Sequence, residues 1–333
     1  MKPPPLLRHE GQTGTVTSAE ISVLGEWCTV PALNVNGTAI IVDRKWPRIA
    51  RVVDEEWLED ELQNPGLCVE ALKNKGAPKA LRADIFTFAQ KLPCTAPKYP
   101  FHMEWDSIAA IRLTSFKDWW ENLPQESRKN ARRSQKRGVE VRVREFDDDL
   151  VHEIVELSKD SPIRQGKRFT HYGKSFEQVK KDQSTHLGRC DFICAYAEKE
   201  LIGLLKVVYR RDVASVLIFL PKASQQDKRP ANALMTKMVE VCEAKGISYL
   251  TYGMFNYGNK RKSSLLEFKI RNGFEEILVP RFYVPLTVWG ELSLRLGLHR
   301  GIVGLLPSVV LSLAVRAREK WYTMRRLRAG VAQ

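Results

Sequence analysis

The sequence predicts a mixed α/β (α+β) protein: two tandem domains, the second the more legible, followed by a C-terminal helical tail. Three observations carry this. From residue 139 to 286 the spacing of apolar residues switches between strand and helix periods in the order β-α-α-β-β-β-α-β-α-β-β. At 333 residues the chain exceeds the size at which a single core stops growing. Its 44% hydrophobic content is enough to fill two cores. The expected divisions are a loose leader over 1–20, a first domain over 21–137, a second over 138–288, and a basic amphipathic helical tail over 289–333.

In the first domain the pattern reads as strand at 39–42, helix at 54–62, strand at 68–72 and strand at 85–88. A proline-rich link, 93–100, leads to a strand at 108–113 and then to a helix holding Phe116, Trp119 and Trp120. Residues 123–138, L-P-Q-E-S-R-K-N-A-R-R-S-Q-K-R-G, form a further helix with two cationic rows. Arg128, Arg132 and Lys136 make one row, and Lys129, Arg133 and Arg137 the other. Like charges at this spacing oppose one another, so RNA or phosphate contact competes with a plain solvated face as their explanation.

In the second domain residues 139–146 alternate apolar and charged, as a half-buried strand does. A helix at 148–159 places Leu150, Ile154 and Leu157 on one face, and another follows at 175–187. Strands at 192–197, 201–209 and 213–220 are joined by turns short enough for an antiparallel meander. The clearest helix, 230–244, has Ala231, Leu234, Met235, Met238, Val241 and Cys242 at helical spacing and Pro230 in its first turn. Gly246 ends it, and a strand at 247–252 follows. Residues 263–286 then read as a short helix stopped at Gly273, with two short strands at 275–279 and 282–286.

The net charge of +14 is concentrated over 128–144 and from Arg295 onward, which favours anionic partners: nucleic acid, phosphorylated substrates or an anionic membrane surface. The six cysteines form no C-x-x-C pair and have no histidine at metal spacing, so no metal site is expected. The first twelve residues hold three prolines and no apolar core, the pattern of a cytoplasmic chain without a signal peptide. In the tail, 301–315 is weakly polar with a central proline, short of the roughly 20 residues that span a bilayer. Arg316, Arg318, Lys320, Arg325, Arg326 and Arg328, beside Trp321 and Tyr322, are the flank of an interfacial helix. Peripheral contact with the inner membrane face competes there with a helical hairpin docked on the domains.

On the helix ending at Gly273, Leu265 and Leu266 lie three to four residues before Lys269, which turns the lysine toward the apolar face. An inward ammonium is costly unless it meets a partner or ligand, although the stem can also pack while the head snorkels out. Phe268, Lys269, Gly273 and Phe274 match the F-K-x-x-x-G-F pattern of FemAB-like N-acyltransferases, which the chain resembles from about Val30 onward. The cationic helix is similar to that family's L-P…R…R…K…G-V region. The resemblance implies tandem GNAT-type domains with a degenerate first copy. It also implies an acyl donor, which in the best-understood members is aminoacyl-tRNA.

In an acyl-CoA-using GNAT domain the turn after the fourth strand carries Q/R-x-x-G-x-G/A, so that backbone N–H groups reach the pyrophosphate. The corresponding turn here, 224–233, reads S-Q-Q-D-K-R-P-A-N-A: both glycines are missing, Arg229 takes the place of the first, and Pro230 lacks an N–H. That argues against ordinary acetyl-CoA binding. No resident cofactor is indicated, and acyl-CoA and aminoacyl-tRNA stand as the two candidate donors.

Position then nominates the site. Arg164, Lys167, Arg168 and Tyr172, in the loop P-I-R-Q-G-K-R-F-T-H-Y-G-K, would anchor an acceptor, with His171 as general base or merely solvated. Tyr252 and Tyr257 are candidates for proton transfer, and Asn256 for orienting a carbonyl. Lys269 would contact the donor or the oxyanion. Asp227, Arg229 and Asn232 suit an anionic or hydroxyl-rich ligand, or simply start a helix. The expected function is transfer of an acyl or aminoacyl group to an amine of a cell-wall (peptidoglycan) or surface-polysaccharide precursor. The alternatives are an acetyl-CoA-dependent GNAT enzyme and a non-catalytic RNA-binding or membrane-associated assembly protein.

Overall fold

The computed structural model describes residues 14–23, 25–43, 45–53, 58–74, 76, 78–164, 167–256 and 263–301, with the backbone alone at 167 and 168. The chain opens with a hairpin of β1 (Thr15–Val23) and β2 (Glu26–Val35), so that β1 begins inside the segment expected to be a loose leader. Short polar and β-branched residues make up β1, and most are exposed, so it carries no hydrophobic signal. After β3 (Thr38–Val42) and β4 (Ile49–Val52) comes α1 (Pro65–Lys73). This corrects the strand expected at 68–72. Pro65 pre-sets the first helical turn, and Cys68, Ala71 and Leu72 recur at i, i+3 and i+4 on the buried face. Nor is 58–62 helical, while 54–57 lie outside the described residues.

The first half closes with β5 (Ile85–Ala89), β6 (His102–Arg112), α2 (Phe116–Asn122) and α3 (Gln125–Lys136). The second half follows the expected order. It runs through β7 (Glu140–Arg144), α4 (Asp148–Ser158), the tiny hairpin of β8 (Ile163–Arg164) and β9 (Lys167–Arg168), and α5 (Phe176–Gln183). The meander of β10 (Cys190–Ala197), β11 (Glu200–Arg210) and β12 (Val213–Pro221) comes next, then α6 (Pro230–Ala244), β13 (Tyr249–Met254) and α7 (Ser264–Arg271). The series closes with β14 (Glu275–Pro285) and α8 (Val288–Arg295).

All strands except β8 and β9 join one twelve-stranded sheet, in the order β1-β2-β3-β4-β5-β14-β6-β13-β12-β11-β10-β7. The two halves exchange strands. β14 crosses into the first half to pair antiparallel with β5, and β6 of the first half lies between β14 and β13. The sheet therefore runs unbroken across residue 137. β14 is also one strand rather than the expected two: β6 pairs with it from Glu275 past Pro280 to Tyr283, and pairing with β5 on the other edge begins at Arg281.

Both faces of the second half are covered. Phe192 and Leu204 point to α4 and α5 with Leu150, Ile154 and Val179. Their neighbours Ile193 and Leu205 point to α6 with Leu234 and Met238. Burial on both faces explains why these strands read as nearly continuous apolar runs. At the end of α7, Gly273 has φ +83°, and a Cβ there would come within 3.1 Å of Trp119 Nε1. The Trp119 N–H donates to Asn272 O at 3.0 Å, so the glycine lets the helix end close against that ring.

Candidate active site

β12 and β13 run parallel but pair only where Val213–Ser215 meet Tyr249–Thr251. At the last paired step the Ser215 and Thr251 hydroxyls meet at 2.8 Å. Beyond it the strands part, and on its other edge β12 bulges outward at Leu217, the residue with no partner on β11. The sheet is therefore unpaired between the ends of β12 and β13, with α7 on one side of β12 and α4 and α5 on the other.

Ser263 caps α7 by accepting from Leu266 N at 3.1 Å, which sets the helix so that Lys269 faces inward. The side chain is fully buried, as the spacing predicts. Its Nζ donates to Met254 O at 2.6 Å, at the end of β13, and lies 4.9 Å from the centre of the Tyr252 ring. Burial pushes the Lys269 pKa down to about 8. Tyr252 itself packs between Phe219 and Phe274, with ring centres 6.0 and 5.9 Å away.

A second buried lysine escaped sequence reasoning. Lys206, on β11, donates to Gln183 O and Thr185 O, both at 2.6 Å, and burial pushes its pKa down to about 8 as well. Both ammonium groups thus release their protons near pH 8 when folded and near 10.5 when unfolded. Between those values the unfolded chain binds more protons, so each lysine makes stability rise with pH across that window, by on the order of 1–3 kcal/mol. Urea titrations of the wild type and Lys269→Met at pH 7, 8.5 and 10 check this. The wild type gains on the variant as pH rises, and parallel curves would remove the effect.

Across β12 lies the loop carrying His171. His171 Nδ1 is 3.7 Å from Asp182 Oδ2, within ion-pair range. Asp182 also accepts from Lys174 Nζ at 2.7 Å and Trp27 Nε1 at 2.7 Å. Burial would raise its pKa, but the donors His171, Lys174 and Trp27 outweigh that and hold it at about 2. Lys174 reaches on to Gly25 O at 2.5 Å, so the tip of the β1–β2 hairpin is tied to the loop and α5. Asp182 is the residue that organises this side of β12, and no sequence signal marks it: its partner Trp27 lies 155 positions away.

Arg164 is engaged elsewhere. Its Nη1 donates to Pro221 O at 2.9 Å, Nη2 lies 3.6 Å from Asp160 Oδ2, and the guanidinium covers the Phe169 ring at 4.7 Å. It ties the loop to the end of β12. For Lys167 and Arg168 the structure gives only their pairing in the β8–β9 hairpin, opposite Arg164 and Ile163. Tyr172 is exposed at 44%.

The turn before α6 is held from within. Asp160 accepts from Ala223 N at 2.6 Å and from the Ser224 hydroxyl at 2.6 Å. Burial would raise its pKa, yet these bonds lower it. A carboxylate thus takes donors of the segment that in an acyl-CoA enzyme faces pyrophosphate. Arg229 keeps the left-handed backbone of a glycine, with φ 58° and ψ 43°. Asp227 and Arg229 are exposed, Asn232 is half-buried, and Arg137, just after α3, bonds the Asp227 backbone carbonyl. The residues present do not fit a CoA pyrophosphate.

Asn256 donates to Glu276 on β14 at 3.1 Å, outside the Lys269 contact. Tyr257 lies outside the described residues, as does the tail from 302. One further titratable group, His102, Glu104 and His299, brings ligand-type atoms within 4.8 Å of one another. Its Glu104 Oε1 already accepts from Arg300 at 3.0 and 3.1 Å, and His299 Nε2 lies 2.7 Å away. Arg300 thus supplies a cation to this carboxylate.

No protein-family profile matches the chain, and a search of curated proteins finds no match. Solved structures share its fold. FemX superposes with a TM-score of 0.54 at 11% identity, over 85% of this chain and 90% of that one. The C-terminal domain of a protein described as a lysylphosphatidylglycerol synthetase from Agrobacterium fabrum superposes with a TM-score of 0.50 at 16% identity, over 78% and 83%. The chain thus has the tandem GNAT-like fold of FemAB-like proteins.

Proposed function

We propose that this chain is an N-acyltransferase that moves an aminoacyl group from a charged tRNA to an amine of a cell-wall or surface-polysaccharide precursor. The observation that carries this reading is the parting of β12 from β13, with buried Lys269 on one side of β12 and the His171–Asp182 pair on the other. In the reaction the acceptor nitrogen attacks the donor carbonyl carbon, and the ester bond to the tRNA ribose breaks once the tetrahedral oxyanion collapses. The imidazole of His171 takes the proton lost by the attacking nitrogen, and Asp182 stabilises the imidazolium so formed. That proton then passes to the departing ribose oxygen. Lys269, poised near neutrality, would donate to the oxyanion.

Three features support a tRNA donor over acyl-CoA. Asp160 takes the Ala223 and Ser224 donors at the entrance to the turn, and Pro230 offers no N–H there. Lys129, Arg132, Arg133 and Lys136 are exposed along α3, and Arg137 at its C-terminal end is exposed too and touches the same turn. One fold neighbour also bears a name that joins a lysyl group to a lipid. A thermal-shift and transfer screen of charged tRNAs against CoA thioesters tests the reading. Charged tRNA should stabilise the protein and be consumed, with binding that weakens with salt at a log–log slope of about −2 to −4. Saturable CoA binding with CoA-thioester turnover would replace the donor with acyl-CoA.

We also propose that the protein meets an anionic membrane surface. Among the described residues no helix is long and apolar enough to cross a membrane. However, α8 exposes Val288 at 85%, Trp289 at 61% and Leu292 at 42%, just before the basic tail. In flotation with phosphatidylglycerol-containing vesicles the full chain should rise with the lipid and Trp289→Glu/Leu292→Glu should stay behind. Equal flotation of both would rule out a part for α8.

A further inference from the structure

On one face of the large sheet a stretch lies bare between the two halves. Met103 of β6 and Phe282 of β14 pack in the core under α1, and Ala109 of β6 packs in the core under α2 and α6. Side chains alternate along a strand, and β6 pairs with β14 in one unbroken register. Trp105 and Ser107 therefore share that face with Glu276 and Leu278. Yet Trp105 is 49% exposed and Leu278 46%. The two are diagonal neighbours, since Trp105 pairs with Pro280 and Ser107 with Leu278. Single exposed apolar residues are ordinary, but an indole and a leucine together at mid-sheet make a patch of the kind that meets a ligand.

Glu276 gives the patch an oriented polar end. The Ser107 hydroxyl and Asn256 Nδ2 both donate to its Oε1, the amide at 3.1 Å. Two donors on one oxygen fix the carboxylate and leave Oε2 of this exposed residue to accept from outside. Flat apolar surface beside such an acceptor suits a neutral pyranose. The C–H groups on one face of the ring pack on the electron-rich face of the indole, and its hydroxyls donate to the carboxylate. Among the described side chains of this stretch there is no lysine or arginine, so the phosphate of a stacked nucleotide would find no counter-charge and would meet Glu276. The patch also adjoins the candidate active site. Lys269 Nζ donates to Met254 O, Phe255 N donates to Ser107 O at 2.8 Å, and Asn256 reaches Glu276. The two steps from Met254 to Asn256 span at most about 7 Å.

We propose that Trp105 and Glu276 form a subsite for a neutral pyranose ring of the acceptor. One C–H face of the sugar stacks on the indole beside Leu278, and its hydroxyls donate to Glu276 Oε2. The subsite names the part of the precursor that this chain holds, and in that respect it rests on the transferase reading.

Saturation-transfer NMR on the full chain, with no donor present, tests the subsite. The probes are the methyl β-glycosides of glucose and N-acetylglucosamine. Adenosine monophosphate serves as the stacking nucleotide, and glycerol as a hydroxyl-bearing compound without a ring. One or both sugars should receive saturation, strongest at the axial protons of one ring face, and the nucleotide and glycerol should not. Trp105→Thr keeps strand propensity and should weaken sugar binding by about tenfold. Glu276→Gln should weaken it by about threefold to tenfold, the difference between a charged and a neutral acceptor. Both residues are exposed, so both melting temperatures should stay within about 2 °C of the wild type. No saturation of either sugar, equal saturation of glycerol or the nucleotide, or affinity unchanged in either variant overturns the proposal. Sugar binding without any acyl transfer would instead leave the subsite standing and remove the transferase reading.

Discussion

If the proposed reaction holds, His171→Ala should lower acyl transfer to the amine by about 10²–10⁴-fold, the usual contribution of a positioned general base. Its stability stays within about 0.5 kcal/mol of the wild type, because the side chain is half-exposed and Asp182 keeps its other partners. That combination separates chemistry from folding. Single-turnover kinetics with preformed donor, alongside urea denaturation, measure both. An unchanged rate would take the proton-transfer role away from His171 and leave it a loop residue beside an aspartate.

Asp182→Ala should unfold far more readily, by about 3–5 kcal/mol, since removing one partner of a buried ion pair leaves the other charge uncompensated. Lys174 is only 7% exposed and loses its carboxylate, and Trp27 loses its acceptor. The β1–β2 hairpin loses the contact that ties its tip to α5. A pH dependence accompanies the pair. With its pKa held at about 2 against an ordinary 3.8, Asp182 contributes stability above pH 3.8 that is lost as pH falls through 2. The variant should therefore lack roughly 2 kcal/mol of acid sensitivity that the wild type shows between those values. A loss below about 1 kcal/mol in urea at pH 7 would mean that solvent already screens Lys174 and that Asp182 holds nothing together.

Lys269 and Asp182 show the two limits of sequence reading at this site. The inward direction of Lys269 follows from Leu265 and Leu266 three and four positions earlier, because a helix repeats every 3.6 residues and neighbours on one face must share an environment. Its carbonyl partner, Met254, could not be read, because it lies beyond the intervening 257–262 on another element. Asp182 sits in a polar helix among lysines and looks like any solvated aspartate until folding brings Trp27 and His171 to it. Arg164 errs the other way. In sequence it is one of several loop cations, but in the fold it is spent on Asp160 and Pro221.

The first half was harder to read than the second. α1 is short, and its Cys-Val-Glu-Ala-Leu run satisfies strand and helix periods alike, so only Pro65 favoured the helix. β14 looked like two strands because Pro280 interrupts it, and its continuity depends on β6 lying alongside.

By itself the sequence determined the order of elements in the second half, the strand and helix faces that fill its core, the loss of the CoA-type glycines, and the inward turn of Lys269. These are local properties, set by periodicity and backbone chemistry within a few residues. Only the tertiary structure decided the exchange of β6 and β14 between halves, the parting of β12 from β13, and the meeting of His171, Asp182 and Trp27. Those depend on pairings between residues far apart in the chain, whose free energy arises only when the whole sheet closes, and no short window of sequence carries it.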